Sequence, residues 1–419
     1  MSRGISLYLH VHQPYRVKPY SVFDIGEQHD YFDLRDDSKL NNEKIFHKVA
    51  EKSYRPMTAL LQKLLDTHPD FHFSLSITGG FIDQAEQFAP DVLESFKRLV
   101  ATGRVEIVAE TFYHSMSFFY SLTEFETQVE MHRKKLLDVF GVSPTAFRNT
   151  ELAHNDELAK WADASGYRTI LAEGWDNVLE WRSPNHVYRP VGTENLRLLL
   201  KNYHLSDDIA FRFSNQAWTE WPLTPGKYVD WINSSLGDAP LMNLFMDFET
   251  FGEHQWEDTG IFTFFEQFVA DWLRQGDAKF YTVTQAAQSS DPVGELSMPN
   301  TVTWADSERD LSAWFGNSMQ NEAAKHLYAM EEDVVRSGDD KLISDWRNLQ
   351  RSDHLYYMAT KWLTDGDVHA YFSPYDSPYD AFLYYMNAVR DVRWRIMKHH
   401  HLGHDYESAV ADEQKVHED

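Results

Sequence analysis

Strands alternating with helices over roughly the first 290 residues, then helices alone, predict an α/β protein. The expected architecture is a parallel sheet rolled into a closed or nearly closed barrel, followed by an α-helical bundle. Three observations carry this reading. Short apolar runs recur between amphipathic stretches as far as Thr284. Several of these runs end in carboxylates or imidazoles, where a β/α barrel presents its chemistry. Beyond about residue 290 only helical spacing remains. The expected domains are therefore a barrel at 1–290 and a helical domain at 291–419 capping it, with the last ~15 residues polar and fraying.

In order, ISLYLHVH (5–12) reads as the first strand, alternation placing Tyr8, His10 and His12 on one side. Ile45, Val49, Met57, Leu60, Leu61 and Leu64 give helical spacing over 44–66. FHFSLSIT (71–78) is the second strand, closed by Gly79 and Gly80, and a helix over 90–101 stops near Gly103. RVEIVAET (104–111) is the third strand, followed by a helix over 123–140 ending at Gly141. AFRN (146–149) leads into Glu151, and a helix over 156–165 ends at Gly166. TILAE (169–173), RLLLKN (197–202), LFMDFE (244–249) and KFYTVT (279–284) complete the alternation. Leu327, Met330 and Val334 mark one helix of the bundle; Leu342, Trp346, Leu349 and Tyr356 mark another. Phe382, Tyr385, Met386, Val389 and Ile396 mark a third.

At 419 residues the chain suits two or three units. Its 39 Lys and Arg against 65 Asp and Glu give a formal charge of −26, which argues against nucleic acid and anionic membranes as partners. Without cysteine there are no disulfides, thiolate nucleophiles or Cys-ligated metals, a composition that fits a reducing compartment. His10 and His12 interrupt the N-terminal apolar run and no cleavage site follows, so no signal peptide is expected. No apolar stretch reaches the length of a membrane span. The expected location is the cytoplasm. Thirteen Trp, 21 Tyr and 27 Phe supply core, and flat faces suited to sugar rings.

The chemistry concentrates in NLFMDFETFGEHQW (243–256), where an apolar strand runs into Asp247, then Glu249, Gly252, Glu253, His254 and Trp256. A second strand-end carboxylate, Glu151, stands in AFRNTELAHND. Two such carboxylates are the minimum equipment for cleaving a glycosidic bond. Arg148 would keep Glu151 ionised, as a nucleophile requires, while Glu249 and Glu253 would raise the pKa of Asp247, as a general acid requires. The pair His10 and His12, followed by Gln13, suits either a metal or a ligand hydroxyl. A metal-dependent amidohydrolase or deacetylase therefore stays open, with His114, His204 and Asp247 as further ligands. Glu106, inside an apolar strand near Glu110 and His114, points to a polar barrel lumen rather than to a paired core acid. Trp304, Asp306 and Asp310 would either reach over the barrel mouth from the second domain or form an interface patch. The KHHHLGH run (398–404) is expected to be a solvated tail rather than a metal site.

HQP (12–14), RVEIV (104–108), FRNTEL (147–152) and DFETFGEHQW (247–256), in that order, resemble glycoside hydrolase family 57. TWADSERDLSAWFGN (303–317), LQRSDHLYYM (349–358) and SPYDSPYDAF (373–382) extend the similarity to its α-amylase-type members across nearly the whole chain. The resemblance implies an incomplete (β/α)7 TIM-like barrel followed by a helical domain. It implies a retaining enzyme on α-1,4-linked glucans such as glycogen, starch or malto-oligosaccharides, needing no metal or other cofactor. Glu151 would be the nucleophile and Asp247 the general acid/base. His10, His12 and Glu106 would face the sugar, and Gln13, His114, Arg148, Glu249, His254, Trp256, Trp304 and Asp306 complete the candidate substrate-binding set. One departure is the fifth family region, usually Ser-Glu after a strand, here Thr284-Gln285-Ala286-Ala287 without the acid. A 4-α-glucanotransferase or branching enzyme differs mainly in the acceptor, and a non-catalytic glucan-binding protein is the remaining alternative. Oligomeric state is not legible.

Overall fold

In the computed structural model, which describes residues 3–361 and 368–416, the chain divides into two compact units. The first comprises Met1–Gln13, Glu43–His114 and Thr123–Leu311; the second comprises Pro14–Asn42, Ser115–Leu122 and Ser312–Asp419. Residues 291–311, expected with the helical domain, group with the first unit, and two N-terminal segments group with the second.

The strands are β1 (Arg3–Val11), β2 (Phe73–Ile77), β3 (Val105–Ile107), β4 (Ala146–Phe147), β5 (Thr169–Glu173), β6 (Arg189–Pro190), β7 (Arg197–Lys201), β8 (Leu241–Asp247), β9 (Ala278–Tyr281) and β10 (Glu295–Leu296). β1 is the hub. It pairs in parallel with β8 from Gly4 to His10 along one edge. The other edge takes β9 over Arg3–Ser6 and then β2 over Tyr8–Val11. β2 continues to β3, and β4, β5 and β7 form a second parallel group. A single parallel bridge, Ala109 to Phe147, joins the groups on one side. On the other, Asn202 donates its backbone N–H to Asn243 O at 2.9 Å, and Asn243 Nδ2 donates to Leu200 O at 2.9 Å. With β9 off this path, seven strands (β1, β2, β3, β4, β5, β7 and β8) thus go round with the ladder interrupted twice, the expected incomplete (β/α)7 barrel. β6 and β10 pair separately.

Alternation along β1 and β8 sorts the side chains. Ile5, Leu7, Leu9, Val11, Met242, Leu244 and Met246 join the core shared with the surrounding helices. Tyr8 and Phe245 pack in the lumen with Val108, Leu171 and Leu199. Register then stacks the lumen in layers: Tyr8, Ser74, Phe245 and Glu106 share one level. His10, Ser76 and Asp247 share the next, two residues or about 7 Å nearer the C-terminal ends of the strands. The floor is a helix, Val283–Gln288, whose Val283, Ala286 and Ala287 enter the same lumen cluster. The strand expected to run through Thr284 stops at Tyr281 because Thr282 and Gln285 form a capping box.

Outside the barrel, Asn42–Val49 and Arg55–Thr67 are joined by a π-helical turn, Ala50–Tyr54. Helices at Pro90–Ala101, Leu122–Phe140 and Asp156–Ala164 match their sequence spacing. The pair Gly79-Gly80, read as a strand end, instead opens the helix Gly79–Phe88 because Thr78 Oγ1 accepts from the backbone of Phe81.

In the second unit, Leu327 and Val334 fall on separate helices, Ser318–Tyr328 and Glu331–Ser337, as do Trp346 (Asp340–Asn348) and Tyr356 (Ser352–Tyr356). Phe382 through Ile396 lie on one long helix, Pro378–Val416, which runs through the stretch expected to fray. The side chains of residues 400–416, most of the KHHHLGH run among them, lie outside the described residues. Buried Trp314, Trp346 and Tyr385 form the unit's interior. Arg395 meets Asp345 at 2.6 Å, and the fully buried Asp391 accepts from Tyr31 (2.5 Å), His29 (2.7 Å) and the backbone of Gly26 (2.7 Å). Among the described residues, no helix is long and apolar enough to cross a membrane.

Candidate active site

Four strand ends of the first unit deliver one cluster. β1 brings His10, the loop after β3 brings Glu110 and His114, the end of β4 brings Arg148 and Glu151, and β8 ends at Asp247. Glu151 stands on a residue with φ 59° and ψ 26°, and His114 has φ 52°. Left-handed backbone at non-glycine residues is costly and gathers where function over-determines the geometry. Both oxygens of Glu151 are engaged. His114 Nε2 lies 2.8 Å from Oε1, and Trp304 donates its indole N–H to Oε2 at 2.7 Å. Asp247 Oδ1 lies 3.5 Å from His10 Nδ1. The two carboxylates are the accessible members of the cluster, with side chains 21% and 41% exposed, while His10, His114, Glu110 and Arg148 are buried.

Burial alone would raise Glu151, but the hydrogen bond and charge of His114 and the Trp304 indole hold it below the usual carboxylate range. Burial would likewise raise Asp247, yet His10, His254 and Arg148 bring it below its ordinary value. Here the sequence expectation is corrected: Glu249 and Glu253 do not raise Asp247. Glu253 is paired with Lys48 at 2.8 Å and Lys52 at 3.4 Å. Glu249 takes the rise itself, to about 8, through burial and the nearby charge of Asp247. Arg148 is driven down by burial, but the surrounding Tyr8, Glu110, Glu151 and Asp247 leave it raised, a fixed cation.

The remaining expected residues divide. His12 stacks on His114, ring centroids 4.1 Å apart, and its Nδ1 lies 3.2 Å from Thr78 Oγ1. Gln13 donates to the Tyr54 hydroxyl at 3.1 Å, which donates to Glu249 at 2.7 Å. Gln13 is therefore buried behind the site, whereas His12 is half-buried beside the cluster. His254 is close enough to Asp247 to act on its charge. Gly252, at φ 106°, makes the turn there, since a side chain would meet the Lys52 carbonyl at 1.9 Å. Trp256 is 54% exposed with the Lys52 ammonium 4.8 Å over its ring. Trp304 and Asp306, expected from the second domain, belong to the first unit. The segment is fastened by the bridge His154–Val302 and by Trp304 N–H to Glu151 O at 3.2 Å. Asp306 has φ 55°, and its carbonyl accepts from Arg309 at 3.4 Å. Asp310 offers its carbonyl to Thr303 Oγ1 at 2.9 Å.

Glu106 is not brought to the cluster. It lies one layer deeper and accepts from the backbone N–H of Thr284 at 2.9 Å and from its hydroxyl, anchoring the floor helix. Sequence reasoning missed Glu110, although a carboxylate just past a barrel strand was signal enough. It also missed the ionic group of buried Glu173 and Lys201 with half-buried Asp207 and Arg309, whose Lys201 ammonium lies 5.4 Å over the Trp304 ring. The opposite signs of these residues show in the sequence, but not their convergence across 136 positions. His10, Glu110 and His114 bring ligand-type atoms within 4.8 Å of one another. Arg148 Nη1, 3.3 Å from the Glu110 oxygen that faces both rings, already places a cation there and opposes a second.

The family described as Glycosyl hydrolase family 57 matches residues 6–299. A protein of Methanocaldococcus jannaschii named "Putative alpha-amylase" is 39% identical over 404 residues, 94% of this chain and 84% of that protein. Among solved structures, a branching enzyme of the same family from Thermococcus kodakaraensis superposes with a TM-score of 0.65 at 13% identity, covering 89% of this chain and 88% of that one. The α-amylase AmyC from Thermotoga maritima gives 0.59 at 14% identity, covering 95% and 97%. The two structures share the fold. The family match over most of the chain, together with the M. jannaschii relative, shows that the chain belongs to glycosyl hydrolase family 57.

Proposed function

We propose that the chain is an α-amylase-type enzyme that cleaves α-1,4-glucosidic bonds with retention, Glu151 acting as nucleophile and Asp247 as general acid and base. The observation that carries this is the state of Glu151. Donors on both oxygens, His114 and Trp304, keep an accessible carboxylate ionised and fixed in direction, as attack on an anomeric carbon requires. Asp247 stands in the same cluster with its carboxyl open to a leaving oxygen.

In the first step Glu151 forms a bond to the anomeric carbon while the glycosidic C–O electron pair leaves with a proton from Asp247. Sugar binding removes water from the 41%-exposed carboxylate, which raises its hold on that proton. In the second step Asp247 takes a proton from water, which displaces Glu151. The M. jannaschii relative's name supports hydrolysis over transfer to a second sugar.

Product analysis on maltoheptaose tests the reading: shorter sugars alone mean hydrolysis, longer ones mean transfer, and no change rejects both. Mass spectrometry after a fluorinated glycosyl fluoride should find the adduct on Glu151. Glu151→Gln should lose several orders of magnitude in kcat, and a tenth of wild-type turnover would move the nucleophile elsewhere. Asp247→Asn should abolish starch cleavage but spare the first step with maltosyl fluoride, whose leaving group needs no acid. Equal loss on both substrates would assign Asp247 to sugar positioning.

A further inference from the structure

Glu110 is fully buried, yet one of its oxygens meets groups from three directions. Its Oε2 lies 3.3 Å from His10 Nε2, 3.6 Å from His114 Nδ1 and 3.3 Å from Arg148 Nη1. Each imidazole turns its other ring nitrogen to one of the two accessible carboxylates. His114 Nε2 is 2.8 Å from Glu151, and His10 Nδ1 is 3.5 Å from Asp247. Glu151, His114, Glu110, His10 and Asp247 therefore stand in series, the His114–Glu110 and His10–Asp247 members at ion-pair rather than hydrogen-bond distance, with the two stacked rings 4.9 Å apart. We infer that Glu110 is a positioning residue that couples Glu151 to Asp247, so that a change of charge on one is felt at the other through the two imidazoles.

The inference rests on the double-displacement reading and adds to it. During glycosylation Glu151 gives up its negative charge as it forms the ester, and Asp247 acquires one as it releases its proton to the leaving oxygen. One negative charge is present before and after, but it has crossed the cluster. An anion fixed between two imidazoles lets the balancing positive charge lean toward His114 first and His10 afterwards, with no proton drawn from solvent. Glu110 is suited to remain that anion. Burial would protonate it, but His10, the adjacent His114 and the Arg148 guanidinium hold it well below the usual carboxylate range. The other groups facing it stay constant. Tyr8 is a buried neutral phenol. His132 takes the Glu110 backbone N–H on Nδ1 at 3.1 Å and turns Nε2 to Ile77 O at 2.8 Å, so it is a neutral ring of fixed tautomer, its pKa lowered by burial.

Glu110→Gln keeps the shape and removes the anion. The rings facing Glu151 and Asp247 then lose the buried anion behind them, and both carboxylates gain affinity for protons. Both limbs of the kcat/KM–pH profile should move to higher pH by about one unit, with kcat down on the order of a hundredfold. Glu110→Asp, which keeps the charge, should lower kcat and leave the limbs in place. A Glu110→Gln enzyme slowed with both limbs unmoved would reduce Glu110 to packing and overturn the coupling. Should that variant not fold, the ring 15N signals of His10 compared between wild type and Glu151→Gln decide: they should move, and unmoved signals overturn the coupling. The site of the trapped adduct separates the two readings. An adduct on Glu151 with unmoved limbs rejects the coupling alone, whereas an adduct on another residue rejects the double displacement at Glu151 and the coupling with it.

Discussion

Three acidic side chains leave the end of β8 in close succession, and their surroundings give them different work. Glu253 is matched by Lys48 and Lys52 and is half a salt bridge. Asp247 keeps its solvent opening and its histidine. Glu249 has neither, only the Tyr54 hydroxyl and backbone donors, so like-charge repulsion acts on it and not on Asp247. Because its value in the fold, about 8, lies above the ordinary 4.5, the folded protein keeps a proton that the unfolded chain releases. The stability this contributes is complete below about pH 4.5 and is lost as pH rises toward 8, on the order of a few kcal/mol. Glu249→Gln mimics the protonated form at all pH. Its Tm should fall less than that of wild type between about pH 5 and pH 8, with activity at neutral pH kept within severalfold. Parallel Tm curves for the two proteins would show that Glu249 is not the group that titrates.

At the scale of an element, the helix Val283–Gln288 occupies the place where the family resemblance leads one to expect an acidic contact. Gln285 is exposed, and its Oε1 accepts from Thr282 N at 2.9 Å, a duty that a glutamate oxygen performs equally. Gln285→Glu should therefore leave Tm and kcat close to wild type, measured by thermal unfolding and maltoheptaose turnover; a large change in kcat would return the fifth region to the catalytic site. The same helix shows why part of the fold was legible and part was not. Strand β1 announced itself, because polar Tyr8, His10 and His12 alternate with apolar Leu7, Leu9 and Val11 on a surface where one side is lumen and the other is core. KFYTVT did not, because its β-branched residues favour a strand on propensity while Thr282 and Gln285, three apart, favour a helix start. Glu106 and Glu110 lie four positions apart on one segment, and sequence alone could not say which carboxylate sat at the level of Asp247. Strand register puts Glu106 one level deeper, and the contact with His10 puts Glu110 beside the cluster. The contact of Trp304 with Glu151 spans 153 positions, and no local pattern encodes it.

For the molecule as a whole, a formal charge of −26 sets acidic surface against acidic surface, a repulsion relieved on unfolding. Raising NaCl from about 0.01 M to about 0.15 M shortens the screening length from ~30 Å to ~8 Å, so Tm should rise by a few degrees. A flat or falling Tm would mean that surface ion pairs, which salt weakens, outweigh the net repulsion. The second unit adds a matter of timing. Tyr31 donates to Asp391 across 360 positions, and Pro14–Asn42 emerges from the ribosome long before the helices of its own unit. At about 5–20 residues per second, Tyr31 waits roughly 20–70 s for that partner. During synthesis the segment is a dangling strip bearing Tyr20, Tyr31 and Phe32, and it is there that a nascent chain would first need a chaperone's cover.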